Sequence, residues 1–403
     1  MPGISRNVLL LSAVSLLNDV ASEMVYPLVP LFLSQALRAP AAVVGTIEGF
    51  AEATASLFKW FFGALSDRWG KRIPLVLAGY GLAAFTKPML ALAGAWPVVL
   101  GARVLDRFGK GLRTSPRDAL LADSTTPEMR GRAFGFHRSA DSIGAVCGPL
   151  LALLLLARMP GGFRTAFLIA FVPGLLSTLL ILAVRERSVA TQSRAVFSLG
   201  VLRRGDPTLR RFLLITLVFS IGNSSDMFLT LRAKQLGSGD TCAVLLYAAY
   251  QLANVLSSFP AGIVSDRLGR KGVLALGYFL FAAIYLGVGL AGGVAALWAL
   301  FPLYGVYQGM TDGVSKAFIV DLAPEADRGA ALGLQAAMVG ISALPASLAA
   351  GFLWDRVGPS SAFVYGAATA FTAGLMMLAV RSSGRSERLP PRSGGPAAGA
   401  PRN

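Results

Sequence analysis

The fold predicted for this chain is an all-α polytopic membrane protein: twelve transmembrane helices in two six-helix bundles, with both termini in the cytoplasm. Three observations predict it. The 403 residues are 54% hydrophobic and only 14% charged, against roughly 25% charged residues in a soluble domain, and the mean hydropathy is +0.61. Apolar runs of about 20 residues, the length that crosses a bilayer, succeed one another along most of the chain. Landmarks of the first half return in the second at a nearly constant offset.

The runs, separated by charged or Gly/Pro punctuation, are expected at 8–35, 42–64, 73–93, 96–119, 132–156, 164–184, 210–231, 242–264, 272–292, 295–319, 330–353 and 360–380. They are continuous rather than alternating, which excludes a closed β-barrel. The first run follows only Arg6 and lacks a small-residue cleavage site, so it reads as a retained helix rather than a signal peptide. The net charge of +16 comes without a soluble domain to present it, so nucleic acid is not an expected partner. The positive-inside rule accounts for the excess instead. Arg68, Lys71 and Arg72 follow the second span, Arg185 and Arg187 the sixth, and Arg267, Arg270 and Lys271 the eighth. That distribution puts these loops on the cytoplasmic side of a cytoplasmic (inner) membrane. Cys147 and Cys242 form neither a metal-ligand spacing nor a disulfide framework, and no cofactor is expected.

The expected organisation is an N-terminal bundle over 1–184, an arginine-rich cytoplasmic linker over 185–209, a C-terminal bundle over 210–381, and a disordered tail over 382–403, rich in Pro, Gly, Ser and Arg. The repeat supports two equivalent bundles. The loop residues Gly63, Asp67, Arg68, Gly70, Lys71 and Arg72 are answered by Gly262, Asp266, Arg267, Gly269, Arg270 and Lys271. Asp123 and Arg130-Gly131 are answered by Asp321 and Arg328-Gly329, and Gly111 by Gly309. Parallel repeats of this kind are a mark of secondary transporters with a midplane site between the halves.

These motifs resemble those of the major facilitator superfamily over about residues 8–380. The doubled loop matches the family's Gly-x-x-x-Asp-Arg-x-Gly-Arg/Lys-Arg/Lys pattern. Arg107, Lys110 and Gly111 match its fourth-helix Arg-x-x-Gln-Gly pattern, with Lys110 in place of glutamine. Gly135, Gly144, Gly148 and Pro149 follow the fifth-helix pattern of its antiporters, although Ala152-Leu153 stands where that pattern ends in two glycines. The resemblance implies proton-coupled antiport or efflux. It also implies a gating role for Gly63, Asp67, Arg68 and Gly70 and for Gly262, Asp266, Arg267 and Gly269, with Asp67 docking on the opposite half to hold the cytoplasmic side shut. The alternative for Asp67 is a turn residue capping the third helix. Arg68, Lys71 and Arg72 are placed to meet anionic headgroups.

The chemistry is expected in the first, fourth and fifth spans. The fourth holds Arg103, Asp106, Arg107, Lys110, Arg113, Arg117 and Asp118. One such charge at the bilayer centre costs about 2.5–3.5 kcal/mol, so they cannot all face lipid. Arg103, Arg107 and Lys110 share a helical face, and Asp106 is spaced to pair with Arg103 or Lys110. One reading is a self-neutralised ion network; the other is a basic cluster that meets an anionic substrate. Asn18, Asp19 and Glu23 in the first span and His137, Arg138 and Asp141 in the fifth stand opposite. Burial disfavours an ionised carboxyl while a nearby arginine favours it, and a group balanced between the two can load and release a proton. Asp19, Glu23, Asp106 and Asp141 are therefore the proton-coupling candidates, each with the alternative of simply neutralising a cation. His137 reads as a hydrogen-bonded structural residue. Gly135, Gly144, Gly148 and Pro149 read as a thinned, bent packing surface.

The C-terminal half is expected to be quieter and to shape the cavity with Tyr304, Tyr307, Gln308 and Asp312, alongside Asn18, Arg103, Arg107 and Lys110 from the first half. Asp226, Gln251 and Asn254 are further polar groups there. The leading expectation is a monomeric, proton-coupled exporter of a small organic solute, in contact with membrane lipids. Uptake of an organic anion or metal chelate is the second reading, and a non-transporting receptor or scaffold the third. Nothing in the sequence supports an enzyme: there is no phosphate loop, nucleophile elbow or metal-ligand set.

Overall fold

The computed structural model describes residues 5–69, 71–126, 129–159, 161–186, 207–324 and 328–380. The expected linker and tail lie almost wholly outside them. In lipid every backbone N–H and C=O must be satisfied internally, and the apolar runs accordingly close into helices. These are α1 (Arg6–Ala36), α2 (Ala41–Trp69), α3 (Ile73–Ala91), α4 (Trp96–Asp123), α5 (Arg130–Arg158), α6 (Phe163–Ile181), α7 (Pro207–Gln235), α8 (Asp240–Leu268), α9 (Arg270–Leu290), α10 (Val294–Leu322), α11 (Arg328–Arg356) and α12 (Pro359–Ala379). Among the described residues nine of them are long and apolar enough to cross a membrane; α2, α4 and α10 carry too much polar character to qualify on composition. Among their polar residues, Glu48 of α2, Arg103, Asp106 and Arg107 of α4 and Thr311 of α10 are buried.

Two helices depart from the single uninterrupted spans expected. In α1 the α-helix ends at Val25, and the chain continues past Pro27 through Leu28–Leu31 and a π-turn at Phe32–Ala36. In α7 it stops at Gly222 and resumes at Met227. Proline removes a donor in the first case. In the second, the Asn223-Ser224-Ser225-Asp226 stretch offers side chains that compete for backbone hydrogen bonds; Ser225 Oγ accepts from Met227 N at 3.2 Å.

The duplication is visible in contacts as well as in sequence. Arg72 pairs with Asp123, and 198 positions later Arg270 pairs with Asp321 at 2.5 Å, so each half ties the start of its third helix to the end of its fourth. Arg72, expected at the headgroups, is instead buried in this contact. Among the described residues Glu186 caps α3, accepting from Arg72 N at 2.5 Å and Ile73 N at 3.3 Å; four unpaired N–H groups at a helix start favour such an anion. The loop glycine Gly269 has φ +89°, a backbone region that side chains with a Cβ avoid.

Within the N-terminal half, α1 packs closely on α5. A Cβ at Gly144 would stand 2.7 Å from Leu16 O, and one at Gly148 2.8 Å from Met24 N. Gly135, placed with them by the motif, has nothing within 4 Å, and the same holds for Gly262. Neither is a packing glycine in this conformation. Gly63 lies between these cases, its would-be Cβ 3.2 Å from Ser115 Oγ on α4.

The halves meet mainly through α2 and α11. A Cβ on Gly351 would stand 2.6 Å from Ala42 Cα, one on Gly45 2.1 Å from Ser347 O, one on Gly49 2.9 Å from Leu344 Cα, and one on Gly340 1.9 Å from Ser56 Oγ. Asp355 of α11 also caps α2 across the seam, accepting from Ala41 N at 3.1 Å and Ala42 N at 2.8 Å. Farther along α11, Gly333 and Gly329 have nothing within 4 Å. The seam is therefore zipped along Gly340–Gly351 of α11, while toward the face that carries the two repeated loops its glycines meet no close contact among the described residues.

Behind the seam, α2, α3 and α4 enclose a set of buried charges. Arg103 Nη2 lies 2.7 Å from Glu48 Oε1, Lys87 Nζ 2.8 Å from Asp106 Oδ1, and Arg103 Nη1 3.8 Å from Asp106 Oδ2. Asp106 thus pairs with Lys87 and Arg103, and not with Lys110.

Two outcomes are expected. Gly148→Leu would drive a side chain into the α1 backbone, an overpacking worth about 1–3 kcal/mol or more, whereas Gly135→Leu enters open space; melting curves in detergent should fall for the first and hold for the second. Removing one member of a buried ion pair costs about 3–5 kcal/mol, so Lys87→Met should lower the melting temperature sharply. Adding Asp106→Leu should recover most of that loss, and no recovery would count against the pairing.

Candidate functional site

A cavity of about 490 Å³ lies between the halves, below the zipped seam. Its N-terminal wall presents Asp19, Glu23, Glu52, Arg107, Lys110, Arg138 and Asp141. Its C-terminal wall presents Asn223, Asp226, Gln251 and Asn254, then Tyr247, Tyr250, Tyr304 and Tyr307, then Gln308 and Asp312. The break in α7 delivers Asp226 to the cavity, and the glycine contacts of α5 press Asp141 close to α1. Gly144 leaves so little room that a Cβ there would be 2.9 Å from Asp19 Cβ.

Of the cavity residues expected from sequence, Arg107, Lys110, Tyr304, Tyr307, Gln308 and Asp312 stand on the wall. Asn18 and Arg103 do not. Asn18 is buried beside the cavity and donates to Asp19 Oδ1 at 3.2 Å. Arg103 turns to Glu48 and lays its guanidinium over the Tyr26 ring, 5.4 Å from the centroid. Among the four proton-coupling candidates, Asp19, Glu23 and Asp141 line the cavity, while Asp106 is enclosed with Lys87 away from it. His137 is buried, its Nε2 3.8 Å from Asp141 Oδ1, and neither ring nitrogen has a hydrogen-bond partner among the described residues. It is not the hydrogen-bonded residue expected.

The repeated loops fall outside the cavity. Asp266 pairs within its own half, 3.7 Å from Arg270 Nη2, and Arg267 is exposed. A cross-half latch through Asp266 is not formed in this conformation. The side chains of Asp67 and Arg68, and Gly70, lie outside the described residues.

Four functional-looking residues escaped the sequence reading. Glu48 and Glu52 sit one turn apart on α2; Glu52 Oε1 is 3.0 Å from Arg107 Nε at the cavity edge. Lys87 on α3 neutralises Asp106. Asp226, noted only as a residual polar group, proves to be a centre of hydrogen bonding. Tyr304 donates to its Oδ1 at 2.6 Å, and the Tyr250 hydroxyl lies 3.0 Å from its Oδ2. That hydroxyl is also 2.5 Å from Gln308 Oε1 and has one proton to give. A signal existed for the α2 pair: two acids at i and i+4 within an apolar run are costly unless partnered.

One carboxylate crosses between the halves. Glu23 of α1 accepts from the Tyr247 hydroxyl at 2.8 Å and from Gln251 Nε2 at 3.1 Å, both on α8. It stands where cavity and seam meet. Chemically, the cavity can solvate a small polar or charged solute, and one of its carboxylates, Glu23, also bridges the two halves.

The described residues contain no group of three or more His, Cys, Asp or Glu placed to hold a metal ion. The family model of the Major Facilitator Superfamily matches residues 11–239 and 212–402. An uncharacterised MFS-type transporter of Methanocaldococcus jannaschii is 35% identical over 93% of this chain and 95% of its own length. A multidrug resistance protein, MdtH, of Aeromonas hydrophila is 26% identical over 85% of this chain and 86% of its own. Among solved structures, a POT family transporter in complex with 5-aminolevulinic acid superposes with a TM-score of 0.79 at 14% identity, over 93% of this chain and 96% of that one, a likeness of fold. With twelve helices among the described residues, a duplicated frame and a cavity between the halves, the chain is a multi-pass membrane protein of the Major Facilitator Superfamily.

Proposed function

We propose that the protein is a secondary active transporter that moves a small organic solute by alternating access, coupled to protons and in the direction of export. The observation that carries this is Glu23. Its carboxylate lies on the cavity wall and is also hydrogen-bonded across to Tyr247 and Gln251. Ionised, it accepts from both donors; protonated, it has one lone-pair-rich oxygen fewer to offer and a proton of its own to place. Loading a proton there changes the strength of the contact that keeps one face shut. Asp19 and Asp141 stand close by and extend the set of acids among which a proton can move.

We read the end of the seam without close glycine contacts, the face that carries the arginine-rich loops, as parted. By the positive-inside rule that face is cytoplasmic, and the conformation is then inward-facing, with the site open to cytoplasmic solute. The opposite state requires the zipped α2–α11 seam to open and the parted ends to close. Because the halves are packed as preformed bundles, rocking one against the other achieves this without rebuilding either. Export is supported by the antiporter-like glycine pattern on α5 and by the likeness to a multidrug resistance protein. Monomeric action needs no partner chain, since both walls come from one polypeptide.

Reconstituted proteoliposomes test the reading. Under a pH gradient of either sign, a panel of small organic cations, anions and neutral solutes should include at least one that moves against the proton flow. Glu23→Gln should keep downhill exchange of that solute and lose at least tenfold in gradient-driven accumulation. Movement in the same direction as protons would replace export with uptake by symport. Unchanged accumulation by Glu23→Gln would remove Glu23 from the coupling.

A further inference from the structure

The cavity's two walls carry different electrostatics, and the difference bears on the solute. On the N-terminal wall acids and bases are mixed. Glu52 is satisfied by Arg107 at 3.0 Å, and Lys110 and Arg138 add two further positive charges. On the C-terminal wall, formed by α7, α8, α10 and α11, there are two acids, Asp226 and Asp312, and no lysine or arginine. Over the whole cavity six carboxylates face three cations. That surplus goes against the basic, anion-seeking reading of the fourth span and toward its alternative, an ion network, since Arg103 is spent on Glu48 away from the wall and Arg107 on Glu52.

Aromatic rings complete the picture. Tyr26, Tyr247, Tyr250, Tyr304 and Tyr307 form a continuous line along the wall, with successive centroids 5.7, 5.3, 5.2 and 5.5 Å apart. The Tyr26 face is already occupied by Arg103 and Arg107. The described residues place no lysine or arginine over the other four rings. Asp226 is held at their centre by the hydroxyls of Tyr304 and Tyr250. Both of these partners are neutral, so the carboxylate is oriented but its charge is unmatched.

We infer that the C-terminal wall, with Asp226 at its centre and Tyr247, Tyr250, Tyr304 and Tyr307 around it, binds the positively charged group of an organic cation. The inference rests on the transporter reading only in calling the ligand a solute to be moved; the binding site stands on its own. Each element has a physical role. A cation over tyrosine faces is attracted by the ring quadrupole, more strongly where water is excluded. Asp226, which no lysine or arginine of this wall matches, supplies the countercharge, and the tyrosine hydroxyls beside it hold it in place. On the N-terminal wall Arg107, Lys110 and Arg138 offset most of the charge of the four carboxylates, so the larger uncompensated negative charge lies on the C-terminal side. A volume of about 490 Å³ falls in the range of sites that take small molecules, roughly 300–1,000 Å³, and leaves room for an apolar body beside the charged group. An inorganic cation is a poorer match, since the described residues bring no three acids together at ligand distance.

Equilibrium binding of two ions of nearly equal size and opposite charge tests this on the purified full-length protein. Tetraphenylphosphonium should bind saturably, and tetraphenylborate should bind at least tenfold more weakly. Asp226→Asn should weaken tetraphenylphosphonium binding tenfold or more, as expected when one partner of a desolvated charge contact is neutralised. Tetraphenylborate binding as tightly, no saturable binding of tetraphenylphosphonium, or equal affinity in wild type and Asp226→Asn would each overturn the inference. If Asp226→Asn fails to fold, the contrast between the two ions on the wild-type protein still decides. The outcome is separable from that of the flux experiment. Proton-driven flux of an anion with no cation binding would leave the transporter standing and remove this site, whereas tetraphenylphosphonium binding without any flux would do the opposite.

Discussion

A charge placed inside a bundle bathed in hydrocarbon must find a countercharge, a set of hydrogen bonds, or water. This chain places many there, and most of its internal architecture follows from how each is resolved. Glu48 with Arg103, Asp106 with Lys87 and Glu52 with Arg107 close three pairs between α2, α3 and α4. The first two are sealed from the cavity and bind three helices into one body. The third lies at the cavity edge, half enclosed, and leaves Arg107 on the wall. Two carboxylates with no ion pair among the described residues, Glu23 and Asp226, find tyrosine hydroxyls instead, and both line the cavity.

The same constraint is visible in the contact between the halves. Their contact along α2 and α11 is built from glycines, backbone atoms and small side chains, with Asp355 capping α2 as its main charged contribution. Such a surface owes little to buried charge, so parting it exposes few groups that lipid or water cannot accommodate. The strong, sealed ion pairs lie within the N-terminal half, where nothing needs to open. Arg72 with Asp123 and Arg270 with Asp321 likewise brace each half internally. Rigid bodies with a weakly charged seam between them are what a rocking mechanism requires.

How much of this could be read from the chain depended on range. Hydropathy located the twelve helices, because spanning a bilayer is a property of consecutive residues; α5, expected over 132–156, is Arg130–Arg158. The duplication was legible because it recurs at constant offset. The interruptions of α1 and α7 were missed, since Pro27 and the Asn223–Asp226 stretch are short beside an apolar run. The pairings were harder still. Helical spacing placed Arg103, Arg107 and Lys110 on one face, but it could not say that α2 would bring two glutamates to that face. Lys87 and Glu48 drew no attention in the sequence, and their partners are separated from them by 19 and 55 positions. Only packing assigns such pairs, so the fourth span looked more basic to a solute than it is.

Divergence between the repeats then acquires a physical meaning. The frame is shared: the arginine–aspartate braces and the turn glycines recur in both halves. The cavity walls are not shared. Where α4 carries Asp106, Arg107, Lys110 and Arg113, α10 carries Tyr304, Gly305, Gln308 and Thr311. The first set builds a charged scaffold that holds its helices in register and gives the cavity its few cations. The second removes positive charge from the opposite wall and replaces it with rings and hydroxyls around Asp226. A duplicated unit with two identical walls would repel or attract a charged solute equally from both sides. Unequal walls give it an orientation, and an oriented solute can act on one half more than the other, which a transporter needs if binding is to favour one state of the rocking pair.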